Sequence, residues 1–301
     1  MHRLTLAIVL NVRSADGDDA DLQARIGSAL EATGVGLQWF VVHKPVRLGA
    51  VCATAAAQAD RLVIAGGDGS VRIAAQAARN AGKPLAIIPT GTYNYVARRL
   101  GIPLDIEAAA QLAGNAPPRP VACGEINGQV FFNHAAFGLY TRIIAARERH
   151  TALLGRSRVT AVLSGIATLF NRYPILRLRL LLDGETRQCR ASAVFFGANP
   201  LQLTSVDSSF ASRCADTGLG MVLMRHQPRR RVLLAAVRAL IGRLAQAQAF
   251  DLQCVTKATV DVARRRRRLR VSLDGEITVC PLPLHIRYLP DAVHIVTPEP
   301  T

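Results

Sequence analysis

Twice in its 301 residues the chain carries Asp-Gly-Glu between alternating apolar runs. LLLDGETR holds Asp183 and Glu185, and RVSLDGEIT holds Asp274 and Glu276. A carboxylate within hydrogen-bond reach of a hydroxyl can take its proton as the oxygen attacks. Asp-Gly between two strand-like runs is equally a hairpin turn. Local residue type does not separate the two uses, and both copies fit both.

A second kind of chemistry is written earlier. LVIAGGDGSV ends a strand-like run in Gly66, Gly67 and Gly69, with Asp68 and Ser70 among them. Without Cβ atoms such a turn admits a phosphate closely and allows positive φ. The helix that follows points free N–H groups and its positive dipole end at the same place. Asp68 repels a bare phosphate, so its use is to meet a Mg2+ carried with a nucleotide or to order the loop. The next unit, IIPTGTYNYVARRLG, repeats the arrangement with Pro89, Gly91, Thr92 and Asn94. Thr92 is a candidate helix N-cap as well as a ligand. Two such turns at successive strand ends lie side by side at the carboxyl edge of a parallel sheet, where these sheets bind ligands. Neither the GxxxxGK[ST] loop nor a GxGxxG fingerprint after a strand is present, so this is a phosphate site of another kind.

The elements that must hold these residues alternate through the first ~120 residues, as α/β units do. LTLAIVLNV, VGLQWFVVH, DRLVIAGGD and PLAIIPTGT read as strands. Helices are expected over DDADLQARIGSALEATG, Gly49 to Ala59, SVRIAAQAARNAGKP and YNYVARRLGIP. After NAPPRP, Asn115 to Pro120, strand patterns dominate in GQVFFNHAAF, the long run around the first Asp-Gly-Glu, GMVLMRH, KATVDVA, LRVSLDGEITVC and DAVHIVTP. Helical insertions are expected at Thr151 to Arg172 and Pro228 to Gln248.

Composition limits the classes. Half the residues are apolar, and 37 Lys and Arg against 21 acids give a net charge of +16. Such a chain is drawn to anions. Aromatics are 5% of residues, too few for the stacking platforms of a single-strand nucleic-acid groove. The cysteines, at 52, 123, 189, 214, 254 and 280, show no metal-ligand spacing and read as buried or idle thiols of a reducing cytoplasm. The opening MHRLTLAIVLNVRS reads as a core strand rather than a signal peptide, and no run reaches membrane-spanning length.

GGDGS, then IPTGTYNYVAR, then SLDGE near the C-terminus resemble the diacylglycerol kinase catalytic family, in particular its soluble bacterial lipid kinases. NVRS after the first strand, FFNHAAFGLY and ADTGL extend the likeness over nearly the whole chain. The resemblance implies a Rossmann-like α/β nucleotide-binding domain of the NAD-kinase and lipid-kinase type over 1–118, joined by the C-terminal strand at about 288–301. A β-rich sandwich carrying the lipid site would occupy 119–287. It implies ATP and Mg2+ as cofactors, with Gly66, Gly67, Asp68, Gly69, Ser70 and Thr92 at the nucleotide, Asn94 supporting that turn and Asn11 close by. Glu276 would be the general base. Asp274 would position it or meet metal, and Asp216 would match an acidic position tied to a structural Mg2+. Asp183 and Glu185 fall in a variable hairpin of the family and read as a turn.

The chain departs from the family pattern at Tyr95 and Ala122, where Asp is usual, at Ser70, where Thr is, and near Val42 and His43. The expected activity is phosphorylation of diacylglycerol or a related lipid in phospholipid biosynthesis. A kinase of a small soluble acceptor and a non-catalytic nucleotide- or anionic-lipid-binding protein are the alternatives. The expected partners are a lipid substrate and an anionic membrane surface, not nucleic acid, with the protein cytoplasmic and peripherally attached. An amphipathic, Arg-flanked helix over 228–248 and the run Arg264 to Arg268 are the segments expected to reach lipid. Oligomeric state stays open, a homodimer included.

Overall fold

The computed structural model describes residues 3–12, 19–142, 144, 175–204, 206–215, 217–226, 250–263 and 267–299. The expected helices at 151–172 and 228–248, the run 264–266 and Asp216 lie outside these residues. The chain divides into two compact units, residues 1–123 with 289–301, and 124–288.

Unit 1 is a parallel sheet with helices between its strands. Its first four strands are β1 (Thr5–Asn11), β2 (Gly36–Val42), β3 (Arg61–Gly66) and β4 (Leu85–Pro89). The register is parallel throughout in the order β2-β1-β3-β4, and β4 pairs with the end of the last strand through Ile295↔Leu85. β1, β3 and β4 are nearly continuous apolar runs because both of their faces are covered; Leu6 through Leu10 and Leu62 through Ala65 are 0% exposed. The intervening helices are α1 (Asp19–Glu31), α2 (Leu48–Gln58), α3 (Asp68–Ala81), α4 (Tyr95–Arg99) and α5 (Ile106–Asn115). Gly82 closes α3 in the left-handed conformation, as its sequence predicts. Helix α5 was not expected; its signal is Asp105, whose carboxylate caps the Ala108 N–H at 2.9 Å.

Unit 2 is antiparallel. Strand β5 (Pro118–Ile126) enters it from unit 1 and begins within the Pro-rich stretch, directly after the end of α5. There follow β6 (Gln129–Phe131), β7 (His134–Gly138), β8 (Leu176–Leu182), β9 (Glu185–Gly197), β10 (Leu219–Arg225), β11 (Phe250–Val255), β12 (Lys257–Val262), β13 (Arg268–Leu273), β14 (Glu276–Pro281) and β15 (Leu284–Val296). The path runs β14-β13-β7-β9-β8-β12-β15, with β10 and β11 added beside β9. One face of these strands buries Phe131, Phe137, Phe196, Leu178, Leu180 and their neighbours in a single core. The other face is covered in part by two short helices, α6 (Pro200–Leu203) and α7 (Ser208–Cys214), which pack Leu203 and Phe210 against Phe195 and Val222.

The cysteines correct the sequence reading. Cys214 at the end of α7 and Cys254 in β11 are disulfide-bonded, their Cα atoms 5.4 Å apart and 40 residues apart in sequence. Cys52, Cys123, Cys189 and Cys280 are free thiols, and burial pushes the Cys52 thiol up to about 12. Spacing along the chain could not reveal a pair that meets only after β11 folds back on β10.

Candidate active site

In unit 1 the chain turns from β1 toward β2 on one side and from β3 toward β4 on the other. The crevice outside the carboxyl ends of β1 and β3 is therefore the topological switch point, the place where such sheets take ligands. Asn11 ends β1 there and is 7% exposed. Its side-chain amide donates to the Ser70 hydroxyl at 2.8 Å, tying the end of β1 to the first turn of α3.

The glycines act differently from the expectation. Gly66, Gly67, Gly69 and Gly91 are not among the positive-φ glycines; the N-cap Gly67 is extended, at φ −87° and ψ −178°. What they permit is contact between the two turns. A Cβ on Gly91 would stand 2.4 Å from the Gly67 Cα, and one on Gly67 would stand 3.2 Å from the Gly91 Cα. Thr90 donates its N–H to the Gly66 carbonyl at 3.3 Å across the same junction.

Asp68 completes this lock. Its Oδ1 accepts the Val96 N–H at 2.9 Å and its Oδ2 the Tyr95 N–H at 3.2 Å, capping α4 from the neighbouring turn. Asn94, at φ 51°, closes the second turn upon itself: Gly91 N–H donates to its Oδ1 at 3.1 Å, and its Nδ2 donates to the Gly91 carbonyl at 2.7 Å. The N-cap of α4 is thus Asn94 and not Thr92, which is exposed. These contacts bring together Asn11, Gly66 to Ser70, Gly91 and Asn94, and Thr92 lies exposed in the second turn. Sequence reasoning missed the aromatic edge of that site: Tyr93 and Tyr95 are exposed and stacked, ring centroids 5.5 Å apart and planes at 3°.

In unit 2 the two Asp-Gly-Glu copies prove to be the same device. Asp183–Gly184 and Asp274–Gly275 both have two positive φ angles, 47° and 97° in one, 50° and 96° in the other, the two-residue turn that fits strand twist. Each Asp clamps a neighbouring segment. Asp274 accepts the N–H groups of Phe132, Asn133 and His134 at 2.9, 2.8 and 2.9 Å, and its own N–H donates to the His134 carbonyl. Asp183 accepts the Thr256 and Lys257 N–H groups and the Thr256 hydroxyl, and its N–H donates to the Lys257 carbonyl. Partial burial pushes the Asp183 carboxyl up, but those hydrogen bonds outweigh it and leave its pKa below the usual range. Glu276 and Glu185 each follow as the exposed first residue of a strand. What distinguishes the copies is what they hold. Asp274 holds the bend between β6 and β7, beside a buried polar cluster in which His134 Nδ1 meets Gln202 Oε1 at 3.1 Å and Nε2 meets the Tyr140 hydroxyl at 3.2 Å. The His134 ring stacks on Phe195, and burial lowers the His134 pKa against the upward effect of the Gln202 hydrogen bond.

Comparison with known proteins places these observations. Residues 5–126 match the profile of the "Diacylglycerol kinase catalytic domain". A "Probable lipid kinase YegS-like" protein of Pseudomonas fluorescens is 38% identical over 112 residues, 36% of this chain and 34% of the relative. One from Pseudomonas aeruginosa strain PAO1 is 45% identical over 86 residues, 28% of each. These alignments span about a third or less of the relatives' own length. A "Diacylglycerol kinase" of Bacillus subtilis is 26% identical over 249 residues, 80% of this chain and 78% of the relative. A crystal structure of a diacylglycerol kinase from Bacillus anthracis strain Sterne superposes with a TM-score of 0.67 at 17% identity, covering 98% of this chain and 97% of the other, so the fold is shared.

Proposed function

We propose that the chain, whose residues 5–126 match the diacylglycerol kinase catalytic domain, transfers the γ-phosphoryl group of ATP to the hydroxyl of a lipid, diacylglycerol or a close relative. The observation that carries this reading is the interlocked pair of turns at the switch point. Close approach of Gly67 and Gly91 keeps side chains away from the junction of the two turns, and the first turn of α3 points its N–H groups and positive dipole end there. That is a fit for a polyphosphate.

The fit for Mg2+ is narrower. Among the described residues no three His, Cys, Asp or Glu gather as a metal site. Asp68 spends one lone pair of each oxygen on α4, and the remaining pairs can meet a cation that takes its other ligands from phosphate and water. Bound there, Mg2+ would offset charge on the phosphoryl oxygens. Asn11 and Ser70 fix the end of β1 against α3, Asp68 and Asn94 fix the second turn, and Thr92 offers a hydroxyl to phosphate. Glu276 would take the proton of the lipid hydroxyl on a carboxylate oxygen, with Asp274 holding its turn. Peripheral attachment to an anionic bilayer belongs to the same proposal, since the acceptor is dissolved in one.

Tyr95, in a position where the family usually has Asp, favours one other reading: a nucleotide-binding protein with little or no transfer. Transfer of label from γ-labelled ATP to a panel of lipids in mixed micelles tests both. Label should appear in a lipid with wild type and with Glu185→Ala, and fall at least about a hundredfold with Glu276→Gln. ATP binding without any labelled lipid would sink the kinase proposal in favour of the binding protein.

A further inference from the structure

Unit 2 turns one broad strand face to solvent, and that face is basic. β8 alternates strictly: Leu176, Leu178, Leu180 and Leu182 are buried, while Arg177, Arg179 and Leu181 are exposed. The register places Arg190 of β9 directly opposite Arg177. On the other side Thr259 of β12 stands opposite Leu181, and Lys257, two residues along, pairs with Arg287 of β15. Two like charges directly opposite one another cost stability in a sheet. Among the described residues the ion pairs of this unit use Arg187, Arg225 and Arg287, and none involves Arg177, Arg179 or Arg190.

Two acids, Asp261 on the face and Asp183 at its end, stand against Arg177, Arg179, Arg190 and Lys257, so the face stays net basic. Asp261, opposite Arg179, accepts the Val262 N–H at 2.8 Å, and Asp183 is taken up by Thr256 and Lys257. From strand spacing and rise the face measures roughly 15 by 20 Å.

We propose that this β9-β8-β12-β15 face docks on an anionic lipid bilayer. Planar guanidinium groups fork onto phosphate oxygens, and a flat sheet presents several to a flat surface at once. Leu181 is 42% exposed within the basic field and Ile175, at its edge, is 48% exposed. Apolar side chains among cations suit the boundary between headgroups and acyl chains. The aromatic ring on the outward side of β9, Phe195, is packed against Leu203 and Phe210 and stacked on His134, so it is not open to a nucleic-acid base. The choice of a bilayer over other anionic surfaces rests on the lipid-acceptor reading. The face differs from the segments at 228–248 and 264–268 that the sequence singled out.

The test is flotation of the full chain with phosphatidylcholine vesicles and with vesicles part-substituted by phosphatidylglycerol, without ATP, at low and raised salt. Wild type should float with the anionic vesicles only, and less so at raised salt. Arg177→Glu/Arg179→Glu/Arg190→Glu should weaken binding at least about a hundredfold, given about fivefold per basic side chain held at the surface. Arg79→Glu/Lys83→Glu/Arg213→Glu, with the same change in net charge, should weaken it far less. The milder triple Gln variant, checked by thermal unfolding, covers a folding failure and should still lose most of the binding. Equal binding by the face variant and the control overturns the proposal, as does tighter binding of wild type to RNA than to vesicles at matched salt. Transfer to lipid in neutral mixed micelles, run in parallel, reads the kinase proposal separately: its loss in wild type would remove that reading, while intact transfer without flotation would remove only this one.

Discussion

At the scale of single residues, the two Asp-Gly-Glu copies separate what an aspartate does from what a glutamate does. Asp274 and Asp183 each satisfy backbone N–H groups of a second segment, so Asp274→Ala and Asp183→Ala should each destabilise the protein by about 1–3 kcal/mol in chemical denaturation. Only Asp274→Ala should also lower lipid transfer, because only its turn presents Glu276. Gly91→Ala would drive a methyl into the Gly67 backbone, and nucleotide affinity by calorimetry should fall by about tenfold or more, with Gly67→Ala milder. His134 makes a pH prediction. Its folded pKa lies below the unfolded value because burial disfavours the imidazolium. The unfolded chain therefore takes up its proton first as pH falls, so this contribution is full above the unfolded pKa and declines below about 6.5. The midpoint of thermal unfolding should drop more between neutral and mildly acid pH in wild type than in His134→Gln.

At the scale of elements, α7 and β11 are joined covalently, and the bridge closes a loop of 40 residues. The loop-entropy relation gives about 4 kcal/mol for such a closure, an upper bound if the reduced chain keeps residual structure. Thiol titration of the denatured chain should count four free cysteines before reduction and six after, matching the four free thiols and the one bridge. Six before reduction would return the pair to the idle thiols that the sequence suggested.

At the scale of the whole molecule, the chain leaves unit 1 through β5 and returns to it through β15. The returning residues bury Val293, Ile295 and Val296 at 1%, 0% and 1% exposure, and Ile295 pairs with Leu85. A fragment ending at residue 123 would expose the edge of β4 and lose that burial, roughly 1.5–3 kcal/mol per side chain. It should aggregate or melt well below the full chain, and a peptide covering the last strand should restore part of the loss.

Much of this was legible in the sequence because it depends on neighbours along the chain. The four strands and most helices of unit 1 follow from apolar runs, caps and stops spaced within one element, and the site's residues cluster in two short motifs at strand ends. Both Asp-Gly turns were legible for the same reason. What the tertiary structure alone decided depends on residues distant in sequence. It pressed Gly67 onto Gly91, turning glycines expected to supply positive φ into glycines that supply closeness. It made Asp68 the cap of a helix 27 residues away and paired Cys214 with Cys254. Local propensity is a property of a few adjacent residues; close approach, clamping and disulfide pairing arise only when separate segments are packed, and no spacing along a single strand or helix encodes them.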